Sequence, residues 1–388
     1  MGDNKPTYPP SLQVPNVQEM VLKDPLKVPE RYLRNEKEMH ARPDLSYLSS
    51  QVPVIDVSLL SNGDKEELLK LDLACREWGF FQVVNHGVEG KVLQGLKDAS
   101  AEFFELPLEE KNKISMPPND IQGYGHAYVV SEDQKLDWSD TLIMLVYPSW
   151  FRNLNIWPAK PQRFKYVYCF DSHNFMQNSL TFISGVVRLI KMLHQHRDSM
   201  EAYSTELKRV AMELLGSLSL IMGMEKGSLI GLHKELVQAM RVNYYPPCQT
   251  PEKVLGISPH SDTSTITILT QDGDVTGLQI RHQGGWVPVK AIPNALIVNV
   301  GDVTEILSNG KYKSVEHRAV TNESKTRLSY ATFFVPLDEV EIGPLSHLID
   351  TKGSLPLYKK IKYGDYVRTS MKMKHDGKAH IQIAKAQD

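Results

Sequence analysis

Val254-Leu255-Gly256-Ile257-Ser258-Pro259-His260-Ser261-Asp262-Thr263-Ser264-Thr265-Ile266-Thr267-Ile268-Leu269 organises the reading of the whole chain. Both ends of the stretch are dense in branched apolar residues and threonine, the composition of β-strands. Residues two apart on a strand project to one face, so His260 and Asp262 can point at one metal ion. Taken alone, a His-x-Asp pair usually marks an ordinary turn or strand. Residues 313–320 also read as a strand, with Val315, His317 and Ala319 on the inward parity. His317 then completes a set of two imidazoles and one carboxylate. Such a set occupies one face of an iron coordination sphere and leaves positions open for a co-substrate and oxygen. In a barrel, strands far apart in sequence lie across a narrow interior, which lets the third ligand come from a distant segment.

Residues 327–335 read as the next strand, with Arg327, Ser329, Ala331 and Phe333 on one parity and Leu328, Tyr330 and Thr332 on the other. Arginine facing a barrel interior is costly unless an anion meets it. That anion is either a buried Asp or Glu, or a carboxylate ligand to which Ser329 adds a hydrogen bond. With the candidate iron set upstream, we read a dicarboxylate that chelates the metal at one end and meets Arg327 at the other. Phe333 shares the inward parity and is either a contact to an organic substrate or a plain core aromatic.

His260-Ser261-Asp262, His317 and Arg327-Leu328-Ser329 are joined by several further runs. These are Pro53-Val54-Ile55-Asp56, Trp78-Gly79-Phe80-Phe81-Gln82-Val83-Val84-Asn85-His86-Gly87, Ser131-Glu132-Asp133-Gln134-Lys135-Leu136-Asp137-Trp138 and Asn243-Tyr244-Tyr245-Pro246-Pro247-Cys248. In this order they resemble the 2-oxoglutarate- and Fe(II)-dependent dioxygenases, specifically the plant group of specialised metabolism that includes flavonol and anthocyanidin synthases, hyoscyamine hydroxylase and the morphinan O-demethylases. The motifs are specific for the family and poorly specific for substrate.

The resemblance implies a double-stranded β-helix (jelly roll) core and an oxygenase that hydroxylates, demethylates or desaturates an alkaloid or phenolic metabolite, releasing succinate and CO2. It implies Fe(II) on His260, Asp262 and His317, the distal carboxylate of 2-oxoglutarate on Arg327 and Ser329, and help from Asn243 and Tyr245. Oxygen is the second co-substrate and ascorbate the reductant. Two other readings stay open: an enzyme similar to aminocyclopropane-carboxylate oxidase, which does not consume 2-oxoglutarate, and an inactive metal-binding protein.

Composition suits such an enzyme. The 388 residues carry a net charge of −2 and 41% apolar residues, which provides a large core without marking a nucleic-acid or membrane surface. Three cysteines without CxxC spacing argue for reduced thiols. A cytoplasmic monomer with a small-molecule substrate is expected, with no nucleic-acid or membrane partner, because no apolar stretch is long enough to span a bilayer.

Periodicity predicts helices over 17–22, 65–77, 91–104 and 199–222, the last with Met200, Tyr203, Leu207, Val210, Leu214, Leu218 and Ile221 on one stripe. Gly79 ends the second helix before a strand over 80–84. From 239 to 336, strand-length runs alternate with Gly, Asp and Pro turns, so the class is α+β with flanking helices around a β-rich core. The expected division is a lead segment over 1–50, a helix and strand region over 51–165, an insertion over 166–196, a helix plus jelly-roll core over 197–340, and a C-terminal helical region over 341–388. In the family the stretch resembling 157–164 runs almost directly into the helix beginning near Asp198, so the insertion reads as translated intron or a gene-model artefact rather than a lid.

Some residues are read as structural. Asn299 to Asp302 lead a strand into a tight turn, where Asp302 is structural or orients a ligand histidine. His86 reads as a satisfied core histidine, and Asp137 and Asp140 as helix-start or surface carboxylates.

Overall fold

The computed structural model describes residues 8–35, 39, 45–161, 199–271, 275–349, 355–373 and 377–386. The insertion read over 166–196 lies outside them. Twelve strands form the frame: β1 (Val54–Asp56), β2 (Phe80–Val84), β3 (Gly123–Gly125), β4 (Asp140–Tyr147), β5 (Val237–Tyr245), β6 (Leu255–His260), β7 (Ile266–Gln271), β8 (Leu278–His282), β9 (Gly285–Pro288), β10 (Leu296–Val300), β11 (His317–Val320) and β12 (Arg327–Val335). They assemble into a large sheet ordered β1-β2-β10-β7-β12-β5-β4-β3 and a small one ordered β6-β11-β8-β9. Apart from the parallel β1 and β2, the pairings are antiparallel, and the jelly-roll expectation holds.

Alternation along β12 explains the layering. Leu328, Tyr330 and Phe334 join Met240 and Val242 of β5 in the main core, under a layer of helices. Arg327, Ser329, Ala331 and Phe333 turn to the other face, into a cavity between the sheets. The register runs unbroken from Arg327↔Tyr245 to Val335↔Val237, so every inward residue of β12 meets an inward residue of β5.

The helix Ser199–Ile221 covers the outer face of the large sheet and buries Met200, Tyr203, Leu207, Val210, Leu214 and Leu218, the stripe that its period predicts. Truncating Leu207 or Leu214 to alanine costs about 2–5 kcal/mol, because both are wholly buried. The helix Lys65–Glu77 stops where expected: Gly79 adopts φ +63 and its N–H returns to the Ala74 carbonyl at 2.9 Å.

Three expectations change. The strand predicted over 313–320 begins only at His317, because the Lys313 amide bonds to the Cys75 carbonyl and the Ser314 amide to Glu305, outside any ladder. The tight turn expected at Asp302 is the start of a helix, Asp302–Leu307, too short for its periodicity to be read. Asp140 is buried and Asp137 is half-buried, so neither is a superficial carboxylate. Asp140 accepts the Val17 and Gln18 amides at 2.9 and 2.8 Å and so caps the helix Val17–Lys23 from far along the chain. Burial pushes its carboxyl up to about 6 against those hydrogen bonds. Asp137 accepts the Ser258 amide at 2.9 Å and pairs with Arg34 at 3.3 Å, which ties the N-terminal segment to β6.

Candidate active site

His260 ends β6, and His317 begins β11. The two are direct cross-strand partners, with ring centroids 4.2 Å apart. They are therefore neighbours in the small sheet, not residues facing each other across a barrel. Asp262 lies beyond the end of β6, in the connection to β7, so a shared strand face does not explain the His-x-Asp convergence. The connection itself is held in place: the Asp302 amide donates to the Asp262 carbonyl at 2.8 Å.

Each side chain presents one ligand atom. Asp262 Oδ1 lies 3.6 Å from His260 Nε2 and 3.7 Å from His317 Nε2. Both separations fall below about 4.2 Å, twice a bond of about 2.1 Å to a metal ion, and the three ligand atoms all lie within 4.8 Å of one another, a grouping that could hold one ion. Both imidazoles donate Nδ1–H to a backbone carbonyl, His260 to Ser258 at 2.9 Å and His317 to Val315 at 3.2 Å, and keep Nε2 as the lone-pair atom. Asp262 Oδ2 accepts from Thr267 Oγ1 at 2.6 Å and Asn299 Nδ2 at 2.8 Å. Thr267 and Asn299 are register partners on β7 and β10, so the large sheet aims the carboxylate at histidines carried by the small sheet. Burial opposes the Asp262 charge, but His317, His260 and the two hydrogen bonds outweigh it and hold the carboxyl below its ordinary value.

Arg327, Ser329, Asn243 and Tyr245 stand on adjoining rungs of β12 and β5. Asn243 Nδ2 donates to Ser329 Oγ at 3.2 Å, and the Tyr245 hydroxyl lies 3.4 Å from the same oxygen. The Arg327 guanidinium sits 4.9 Å over the Tyr245 ring and donates Nη2–H to Gln271 at 2.8 Å. Its Nε and Nη1 are buried without a hydrogen-bond partner among the described residues. A buried cation with orphaned donors suits a bound carboxylate rather than the protein carboxylate that the alternative reading required. Gly277 keeps this slot open, since a Cβ there would come within 2.7 Å of Arg327 Cδ and Nε.

The triad and the arginine slot open into one cavity, whose walls include Phe80, Ile257, Leu269, Leu278, Ala331 and Phe333. Phe333 is thus at the cavity wall, not in the main core. Sequence reading missed Thr267, Asn299 and Gln271, because nothing local distinguishes them from ordinary strand polar residues. It also missed Arg241, which was legible as the residue two before Asn243 on the same parity. Asp302 does not touch a ligand histidine; its carboxylate accepts from Tyr366 at 2.8 Å and faces His380 at 2.7 Å. His86 is the satisfied core residue expected, donating Nε2–H to Asn294 at 2.7 Å and accepting the Val88 amide at Nδ1. Tyr244 packs outward, stacked on Phe104 at 4.9 Å.

Comparison with known proteins agrees with this geometry. Residues 236–336 match the model of the 2OG-Fe(II) oxygenase superfamily, and residues 52–160 that of the non-haem dioxygenase in morphine synthesis N-terminal region. The chain is 42% identical over 381 residues to Protein Lateral Branching Oxidoreductase 1 of Arabidopsis thaliana, covering 96% of each chain. It is 40% identical to Oxoglutarate-dependent flavonoid 7-O-demethylase 1 of Ocimum basilicum, over 97% of this chain and 92% of the other. A crystal structure of JOX2 in complex with 2OG, Fe and JA superposes with a TM-score of 0.79 at 31% identity, over 97% of this chain and 99% of that one.

Proposed function

Because the chain belongs to the 2OG-Fe(II) oxygenase superfamily, we propose that it oxidises a C–H bond of a small-molecule specialised metabolite, by hydroxylation, demethylation or desaturation, with 2-oxoglutarate and O2 as co-substrates. The observation that carries this reading is the meeting of three ligand atoms, all within 4.8 Å of one another, with the orphaned donors of Arg327 in one cavity.

His260, Asp262 and His317 would hold Fe(II). Arg327 and Ser329, helped by Asn243 and Tyr245, would hold the distal carboxylate of 2-oxoglutarate. When bound, Fe(II), kept reduced by ascorbate, supplies the redox chemistry that couples decarboxylation of 2-oxoglutarate by O2 to substrate oxidation, with succinate and CO2 released. The chain's own residues do the positioning. The two Nδ1–H bonds lock the imidazole tautomers, Thr267 and Asn299 leave Asp262 Oδ1 free for the metal, and the Arg327 fork fixes the co-substrate from its far end. Phe80, Leu269, Leu278 and Ile257 give the site apolar walls that exclude water. Phe333 would contact the organic substrate on the side away from Arg327. The demethylase relatives make removal of an O-methyl group the first reaction to examine. A cytoplasmic monomer is part of the proposal, its reducing location supported by the free buried thiols of Cys75 and Cys248.

The test is incubation with Fe(II), 2-oxoglutarate, ascorbate and fractionated plant metabolite extract, reading succinate by mass spectrometry. We expect succinate formation that depends on particular fractions, together with a metabolite that gains oxygen or loses a methyl group or hydrogens. Absence of fraction-dependent succinate from protein that binds iron and 2-oxoglutarate would defeat the proposal.

A further inference from the structure

A second unpaired arginine stands in the cavity. Arg241 lies on β5 with its side chain at the cavity wall, and its Nε and Nη2 are shielded from solvent without a hydrogen-bond partner among the described residues. No carboxylate among the described residues neutralises it. The two whose charge reaches it are engaged elsewhere, Asp137 by Arg34 and Ser258, and Asp262 by Thr267, Asn299 and the metal face. Leaving such a group unmet costs free energy, and proteins keep it where a ligand supplies the missing anion.

Register separates Arg241 from the co-substrate slot. Arg327 pairs with Tyr245, Ser329 with Asn243, Ala331 with Arg241 and Phe333 with Ala239. The Arg241 rung is four residues along the ladder from Arg327, about 14 Å at the rise of an extended strand. It therefore adjoins the Phe333 end of the cavity, where the organic substrate would lie. Charge points the same way. Fe(II) and 2-oxoglutarate cancel each other's charge, so the one carboxylate of Asp262 is set against Arg327 and Arg241 and the filled site stays positive.

We infer that Arg241 anchors a carboxylate of the organic substrate, which makes that substrate a hydrophobic organic acid rather than a protonated alkaloid. This rests on the oxygenase reading of the site. The planar guanidinium would take the carboxylate through paired N–H bonds while the apolar walls receive the carbon skeleton.

The experiment uses the full chain loaded with Mn(II) and 2-oxoglutarate. A panel of hydrophobic monocarboxylic acids and their methyl esters is titrated by calorimetry. The free acids are expected to bind at least about tenfold tighter than their esters, the scale of one charge-assisted contact. Arg241→Met should remove that preference by weakening the acids alone, Arg241→Lys should keep part of it, and 2-oxoglutarate should bind both variants as it binds the parent. Equal binding of acids and esters to the unaltered protein, or no acid bound, overturns the inference whatever the variants do. So does an acid preference that survives Arg241→Met, or a loss of 2-oxoglutarate as large as the loss of acid. Failure of Mn(II) and 2-oxoglutarate to bind the unaltered protein is seen before any acid is added, and removes the oxygenase reading together with the inference.

Discussion

Replacing Arg327 by methionine removes the guanidinium and keeps most of the apolar stem beside Tyr245. Two buried donors, Nε and Nη1, await an acceptor, and each bond to a carboxylate would be charge-assisted. At about 1.5–2 kcal/mol each, their loss amounts to about 3–4 kcal/mol, or roughly 200- to 1,000-fold weaker 2-oxoglutarate binding. Gly277→Ala tests the same contact from outside. A Cβ 2.7 Å from Arg327 Cδ and Nε must push the side chain by roughly 0.7 Å to reach ordinary contact. Misalignment of one of the two bonds then weakens 2-oxoglutarate about 10- to 30-fold. If both changes act through one guanidinium, the double variant binds no worse than Arg327→Met alone, because no alignment is left to lose. Calorimetric titration of 2-oxoglutarate into Mn(II)-loaded protein measures all four states, with Mn(II) affinity as the control. Losses that add in the double variant, or an Arg327→Met affinity within threefold of the parent, would show that the distal carboxylate is held elsewhere.

His260→Ala should abolish iron binding and turnover together, and measurable Fe(II) affinity with full activity in that variant contradicts the triad. Asn299→Ala removes one of the two bonds that hold Asp262 Oδ2, so Fe(II) affinity should fall about 10- to 100-fold. A competition titration against a coloured chelator reads this directly, and an unchanged affinity argues that Thr267 alone suffices. Stability should fall in acid through His233. Burial lowers its pKa from 6.5 to about 4, with Nδ1–H given to the Leu229 carbonyl and Nε2 2.6 Å from the Thr265 hydroxyl. Between those values the unfolded chain binds the extra proton, so the contribution is complete above pH 6.5 and is lost as pH falls to 4, by about 3 kcal/mol. Urea unfolding at pH 7 and at pH 4.5 checks it, and a His233→Gln variant with the same acid dependence as the parent rules this residue out.

Periodicity was enough for the elements whose side chains repeat over many residues. The stripe on Ser199–Ile221 and the alternation along β12 are burial patterns written directly in residue order, and the inward parity of Arg327, Ser329 and Phe333 follows from the pleat. The identity of the chemistry was equally local, since two imidazoles and a carboxylate bring their preferences wherever the chain carries them. Which neighbours they meet is another matter. Asp262 converges with the histidines through a loop clamped by Asp302, Thr267 and Asn299, and His260 meets His317 because β6 and β11 pair directly. Asp140 caps a helix more than a hundred residues away, and Arg241 is left without a carboxylate among the described residues. Pairing, capping and the lack of a partner depend on the distances between segments remote in sequence. Residue order constrains those distances only through the packing of the whole chain.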